Sequence, residues 1–248
     1  MGSIRTFPGK PAAGTLADVW RVGAASAEVL RVRNTQPEDY AAIRGVQRDA
    51  SPHVPPWSLR QLEAQVAAFP EGQCVALGDG RVCGAAATLV VRWEEYGAEH
   101  TWRGITGEGL FGTHDLSGGD TLYCAATVTD TTRRGFGIVR ALQQAQRRLC
   151  RRLNLPRLVT TARLDGYAAR AFEMDPEHYA MRVVWGEIEN PMLRFRLAQG
   201  FQFCGVLRGY MAEDAESAGH AALLVWLNPL HAAPRPPASI VERRRRVA

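Results

Sequence analysis

The chemistry of this chain is most legible at Arg133-Arg134-Gly135-Phe136-Gly137. Two arginines and two glycines stand between an apolar, β-branched run, Leu122 to Thr129, and a helix-periodic run from Ile138 to about Leu153. A glycine turn ahead of a helix leaves backbone N–H groups unpaired at the positive end of the helix dipole. Glycines let a ligand approach the backbone closely and accept positive φ, and arginines add fork-shaped donors. The guest such a turn suits is a phosphate or diphosphate. The competing reading is a plain strand-to-helix connection with a solvated basic helix, and the turn alone favours the anion site only slightly.

Two phosphate-binding devices drop out on composition. Lys10 is the sole lysine, so a Gly-Lys-Ser/Thr loop is excluded. A dinucleotide fingerprint needs a third glycine where Arg140 stands, and an acid some twenty residues further on, which is missing. What remains resembles motif A of the GNAT acetyltransferases, Arg/Gln-x-x-Gly-x-Gly/Ala. Arg134-Gly135-Phe136-Gly137-Ile138-Val139 matches it with one departure. Val139 replaces the small last residue; its N–H can still serve, but its branched side chain would crowd a diphosphate. Two further segments are similar to the family. Arg31 to Tyr40 looks like its opening strand and acidic helix start. Asn190 to Phe201, ending Ala198-Gln199-Gly200-Phe201, looks like its motif B. Insertions at 94–120 and 164–189 resemble, more narrowly, the GNAT-like domains found beside carbon-nitrogen hydrolase domains.

The resemblance spans about 28–228 and implies acetyl-CoA as donor. It implies that pantetheine fills a gap beside the central strand and pairs with the backbone of Val128 and Thr129. Arg134, Gly135, Gly137, Ile138 and Val139, in one turn with Arg133 and Phe136, would hold the diphosphate, and Asn190 would lie along the cofactor. Acetyl transfer to an amine needs that amine neutral, a donor for the tetrahedral oxyanion, and a proton for the leaving thiolate. The family often places a glutamate on the central strand and a tyrosine in motif B. Here the strand offers Ala125, Ala126 and Thr127, and the tyrosine position holds Arg196. The catalytic groups are therefore unassigned, with Tyr123, Tyr167, Glu95 and His114 as weak candidates. Glu94, His100, Asp115, Asp165, Glu173 and His178 also lie in or near the insertions. For each of them singly, a surface or packing role is the simpler reading. The functional expectation is an acetyl-CoA-dependent N-acetyltransferase acting on a small polar amine. The alternative is a non-catalytic acyl-CoA-binding or regulatory module. A third reading, nucleic-acid association through the arginine tail, ranks last.

The elements that must position these residues follow from periodicity. Ile138, Leu142, Ala145, Leu149 and Leu153 form one helical face, and Asn154 and Pro156 stop the helix. Upstream lie a strand at Glu28–Arg33, a capping box at Thr35-Gln36-Pro37-Glu38 opening a helix to about Gln47, a proline-rich link, and a second helix capped by Ser58. Cys74–Leu77 and Arg81–Arg92 read as a hairpin about Asp79-Gly80. Residues 94–120 show no regular pattern. Downstream come a strand at Arg157–Ala162, a helix from Asp175-Pro176-Glu177 to Trp185, and a helix opened by Asn190-Pro191 and closed by Gly200. An antiparallel pair, Phe201–Met211 and Ala221–Asn228, completes the set. The fold class expected is α/β, a GNAT-like mixed but mostly antiparallel sheet flanked by helices. Residues 1–27 read as a flexible extension, in which Ala17 to Val22 could form a short helix. Residues 229–248 read as a Pro/Arg-rich tail.

Composition sets the outer limits. The 248 residues are 46% hydrophobic, ample for a core, and no apolar run reaches the roughly 20 residues a membrane span requires. Five cysteines without a C-x-x-C pattern suit reduced thiols in a cytoplasmic protein. Six dispersed histidines suggest no metal site. Arg243 to Arg246 supply most of the +5 net charge, so the tail reads as a solvated terminus rather than a nucleic-acid arm. The partners expected are a small amine acceptor, no membrane and no nucleic acid, with a homodimer left open.

Overall fold

The computed structural model describes residues 17–22, 28–52, 54–133 and 136–232. Its centre is one sheet in the order β1-β2-β3-β4-β5-β6-β8-β7. These strands are β1 (Ala17–Val22), β2 (Glu28–Asn34), β3 (Gln73–Gly78), β4 (Arg81–Val91), β5 (Thr121–Thr129), β6 (Arg157–Arg163), β7 (Gln202–Leu207) and β8 (Ala221–Leu227). Every neighbouring pair is antiparallel except β5 with β6, which is parallel. The mixed, mostly antiparallel sheet expected from the sequence is therefore present.

Local chemistry explains most boundaries. Asp79 and Gly80 both take positive φ, 52° and 76°, the pairing a two-residue hairpin turn requires. Helix α1 is Tyr40–Ala50 and α2 is Leu59–Ala68; Ser58 caps α2 by accepting from the Gln61 N–H. Helix α5 (Gly137–Arg152) buries Ile138, Leu142, Ala145 and Leu149. The later helices are α6 (Pro176–Val184) and α7 (Pro191–Ala198), capped by Asp175 and Asn190.

The small residues of β4 let two layers close onto it. Ala85, Ala87 and Leu89 pack with Tyr40 and Ile43 of α1, while Ala86 packs with Ile138 and Leu142 of α5 on the opposite face. Gly84 marks a close approach of α5: a Cβ there would stand 2.6 Å from Ile138 Cγ2 and 3.0 Å from the Val128 carbonyl. A third apolar cluster joins β5, β6 and β8 to α6 and α7 through Leu122, Leu158, Val183 and Leu193.

Four expectations are corrected. Ala17–Val22 is a strand, not a helix: it pairs along the whole edge of β2, and six residues are too few for a helix to hold without tertiary support. Residues 94–120 contain two short helices, α3 (Trp93–Tyr96) and α4 (Trp102–Thr106). The box at Thr35–Glu38 is displaced by one residue: the Asp39 carboxylate, not Glu38, accepts from the Gln36 N–H at 2.8 Å, and a 3₁₀ turn at Pro37–Asp39 precedes α1. The last hairpin is shorter than read, because β7 ends at Leu207 and Gly209 takes a positive φ of 62°.

Candidate functional site

The parallel pair β5–β6 is joined only over three residues, Thr121–Tyr123 opposite Arg157–Val159. Beyond that point the strands part. The rest of β5 pairs only with β4, and Thr160–Arg163 pairs only with β8. Two open strand edges therefore face each other across a cavity of about 560 Å³, lined by Cys124–Thr129 on one side and Thr160–Arg163 on the other.

A bulge accompanies the parting. Ala87 pairs with Ala126 but Thr88 with Cys124, so Ala125 is an extra residue in β5. Its carbonyl is taken by the indole Nε1–H of Trp102 at 3.0 Å. The bulge shifts the alternation of side chains. Tyr123, Ala125, Ala126 and Val128 all meet the α1–α2 side, and the Cys124 thiol meets the Thr127 hydroxyl at 3.3 Å on the other.

At the mouth, β5 runs into the turn before α5. Among the described residues of the turn, Phe136 stacks on Phe195 of α7, with centroids 4.4 Å apart and planes 17° apart. That contact fixes the helix start against α7. The first-turn N–H groups of α5 have no intrahelical carbonyl to bond. Val128 and Thr129 line the cavity. Arg133 sits within ion-pair reach of Asp130 and Asp79, at 3.7 and 4.0 Å. Arg134 and Gly135 lie outside the described residues. The side chains of Ile138 and Val139 are buried in the protein, so only their backbone is available to a ligand, and Val139 does not project from the turn. Asn190 is enclosed and fully engaged: its Oδ1 accepts from Leu193 N–H and its Nδ2 donates to the Arg163 carbonyl. It holds α7 to the end of β6 and does not line the cavity.

None of the four weak catalytic candidates reaches the cavity. Glu95 is exposed and pairs loosely with Arg92 at 3.9 Å. His114 stacks on Phe69 and accepts from Val90 N–H through Nδ1. Tyr167 is buried, donating to the Met174 carbonyl. Tyr123 is fully enclosed, yet it connects to the cavity through a residue the sequence reading passed over. Its hydroxyl lies 2.8 Å from the hydroxyl of Tyr210, which lines the cavity, and 2.9 Å from Nε2 of His100.

The hydrogen positions in this chain follow from its far end. His100 Nδ1 lies 2.9 Å from the Gly97 carbonyl, which can only accept. Nδ1 therefore carries the proton and Nε2 accepts from Tyr123. Tyr123 in turn accepts from Tyr210. Burial keeps His100 neutral by lowering its pKa below the usual imidazole value. Burial also drives Tyr123 well above the ordinary phenol and Tyr210 to about 12, although a hydrogen bond from Thr161 opposes the second shift.

The acids lining the cavity are Asp165, Asp214, Glu213 and Glu108, and each faces an arginine. Asp214 and Asp165 lie 2.5 and 3.4 Å from Arg163, while Glu213 and Glu108 pair with Arg103. Asp165 is the least satisfied, since its contact is not aligned for a hydrogen bond. Burial raises its pKa, against the pull of Arg163. Among the described residues no cluster of His, Cys, Asp and Glu is arranged for a metal ion, and no helix is long and apolar enough to cross a membrane.

A Bacillus subtilis (strain 168) protein named "Uncharacterized N-acetyltransferase YkwB" is 31% identical over 205 residues, which are 81% of this chain and 90% of that protein. The chain belongs to the GNAT superfamily. A second B. subtilis protein, named "Probable hydrolase YhcX", is 31% identical over 197 residues; these are 79% of this chain but only 38% of the length of that relative. A solved structure described as a GNAT-like decarboxylase, GphF, in complex with isobutyryl-CoA superposes with a TM-score of 0.65 at 25% identity. It covers 80% of this chain and 99% of that one. No protein-family model matches the chain. Its mixed sheet flanked by helices is that of a GNAT fold, and its relatives support acyl transfer in general.

Proposed function

We propose that this GNAT protein transfers the acetyl group of acetyl-CoA to a small polar amine. The observation that carries the reading is the parting of β5 and β6 after Tyr123–Val159, which opens two strand edges onto a cavity lined along β5 as far as Thr129 and then by Thr131, in the segment that leads to α5. From Thr129 to Cys124 the strand covers roughly 16 Å at the rise of an extended chain, about the reach of a pantetheine arm. A diphosphate at the turn would bring the thioester to the inner end, beside Ala125 and Cys124. The resemblance supports the donor, as does the acyl-CoA bound to GphF.

The amine must lose a proton as its nitrogen attacks. Ala125, Ala126 and Thr127 offer no base, and Tyr210 is the cavity-lining group whose hydroxyl leads to a proton acceptor. As the C–N bond forms, the nitrogen proton passes to the Tyr210 oxygen. Tyr210 hands its own proton to Tyr123, and Tyr123 hands its proton to Nε2 of His100. The neutral imidazole ends as an imidazolium still bonded to Gly97. Tyr210 is the catalytic residue in this scheme; Tyr123 and His100 act through it. An N–H of the open β5 edge near the bulge would take the developing oxyanion, a contribution worth roughly 3 kcal/mol in comparable sites. Collapse of the intermediate releases CoA thiolate.

The test has two stages. Calorimetry with acetyl-CoA should show binding that Gly137→Asp abolishes, because a carboxylate at the first residue of α5 repels the diphosphate. Unchanged affinity would remove the basis of the reading. A thiol-release assay over an amine library then decides between turnover and a non-catalytic acyl-CoA-binding module. Binding without release from any amine favours the second.

A further inference from the structure

Arg196 is the one cavity-lining arginine without a counter-charge among the described residues. Arg103 and Arg163 take up all four acids that line the cavity. Arg196 is 3% exposed, and neither its Nε nor its Nη1 finds a hydrogen-bond partner. Its neighbours include the Phe201 ring, 5.8 Å from the guanidinium carbon, the Cys124 thiol, and Arg147, a second positive charge. An enclosed guanidinium with unsatisfied donors is a costly thing for a fold to keep. Nothing in the packing asks for it, since an apolar side chain of similar length would fill the same space.

Its position suggests what it is for. Arg196 lines the cavity together with Cys124 and Thr160, the residues at which β5 and β6 part. That is the inner end, opposite the α5 turn, where the acyl part of a thioester would lie. We propose that Arg196 forms a carboxylate-binding subsite, and that the preferred donor is a CoA thioester whose short acyl chain ends in a carboxylate, of the malonyl type. This rests on the reading of the cavity as an acyl-CoA site and replaces acetyl by a dicarboxylic acyl group. A thioester carbonyl alone would satisfy one N–H and leave the charge unpaired. A carboxylate neutralises the charge and takes two N–H groups of the planar fork at once.

The experiment compares malonyl-CoA with isovaleryl-CoA by calorimetry. The two acyl groups share one branched shape, with two oxygens in the first where the second has two methyls. The native protein should bind malonyl-CoA roughly tenfold to a hundredfold more tightly, the range expected for hydrogen bonds to a charged group. In Arg196→Met the ratio should fall to about one. Removing an unpaired buried charge should leave the melting temperature unchanged or higher, which separates lost recognition from lost folding. Met192→Glu provides a second route. Met192 lines the same cavity one helical turn before Arg196, so a glutamate there supplies an internal partner and should abolish the preference with Arg196 intact. Equal affinities in the native protein, or a preference that survives Arg196→Met, would overturn the subsite. Tight acetyl-CoA binding beside such a result leaves the acyl-CoA reading standing. If neither malonyl-CoA nor acetyl-CoA binds, both fail together.

Discussion

Tyr123→Phe isolates the buried chain behind the cavity. The ring stays and only an oxygen leaves, so no cavity of consequence opens. That oxygen makes two hydrogen bonds, at 2.8 Å to Tyr210 and 2.9 Å to His100. Removing it leaves Nε2 of His100 without a donor and the Tyr210 hydroxyl without an acceptor, in a region from which Tyr123 itself is wholly excluded from solvent. Each orphaned buried group costs roughly 1–3 kcal/mol, so the substitution should destabilise by about 2–4 kcal/mol. For a domain of this size a kilocalorie lowers Tm by about 2–4 °C, giving a fall of about 4–16 °C in a thermal melt at mildly alkaline pH. Tyr123→Phe with Tyr210→Phe should cost less than the two separately, because the pair shares one bond. If amine-dependent thiol release is found, Tyr123→Phe should also slow it by roughly tenfold or more and His100→Gln should do the same, whereas a purely structural network would leave the rate of the folded fraction untouched. A Tm within about 1 °C of native would refute the satisfied-network argument, and the relay with it.

Gly84→Ala should cost about 1–3 kcal/mol, because its Cβ would press on Ile138 and the Val128 carbonyl and push α5 off β4; acetyl-CoA affinity measured by calorimetry should fall with it, since α5 carries the turn. Asn190→Ala removes a cap and the side-chain tie to the Arg163 carbonyl, which should lower stability by about 1–2 kcal/mol in urea titration. Melting followed against pH should show two declines. His100, His114 and His220 all have pKa values lowered, each chiefly by burial, so stability is full above the unfolded imidazole value and falls as pH drops below about 6.5. Asp39 and Asp214 are lowered on balance: burial, the largest single influence, raises both, but hydrogen bonds from Arg33 and the Gln36 N–H to Asp39, and from Arg163 and Ser217 to Asp214, together with the charges of the two arginines, outweigh it. Their contribution is present above the unfolded carboxylate value and is lost below about pH 4.

What the sequence disclosed was whatever depends on neighbours in the chain. The Ile138–Leu142–Ala145–Leu149 stripe, the Asp79-Gly80 turn and the Ser58 and Asn190 caps are each decided within a few residues, and each is present. What stayed hidden depends on pairing at a distance. Ala17–Val22 is a strand because the β2 edge lies beside it. Helix α4 is only five residues long and is held from afar: the Trp102 N–H donates to the Tyr210 carbonyl and its indole to Ala125. Tyr210 itself gave no signal, since it stood inside a run read as strand; Gly209 just before it marked the true turn. Arg196 was visible as a missing tyrosine, but its lack of a counter-charge required knowing which acids Arg103 and Arg163 claim. The candidate site is thus half legible: its strand and turn are in the local code, and its chemistry lies in residues brought together only by the sheet.

The bulge at Ala125 links these facts. Without the extra residue, β5 would keep strict alternation, and Val128 would face α5 instead of the α1–α2 cluster. With it, Ala125 and Ala126 fall on one face in succession, and the strand turns away from β6 where the parallel bonds end. The Trp102 indole occupies the Ala125 carbonyl, just beyond the last residues that β5 pairs with β6. The same displacement places Cys124 and Thr127 together on the Arg196 side, while the Tyr123–Tyr210 hydroxyl pair lies on the other. A single inserted residue thus opens the cavity and divides its inner end: a cationic wall where an acyl group would lie, and a proton-accepting wall where its acceptor would approach.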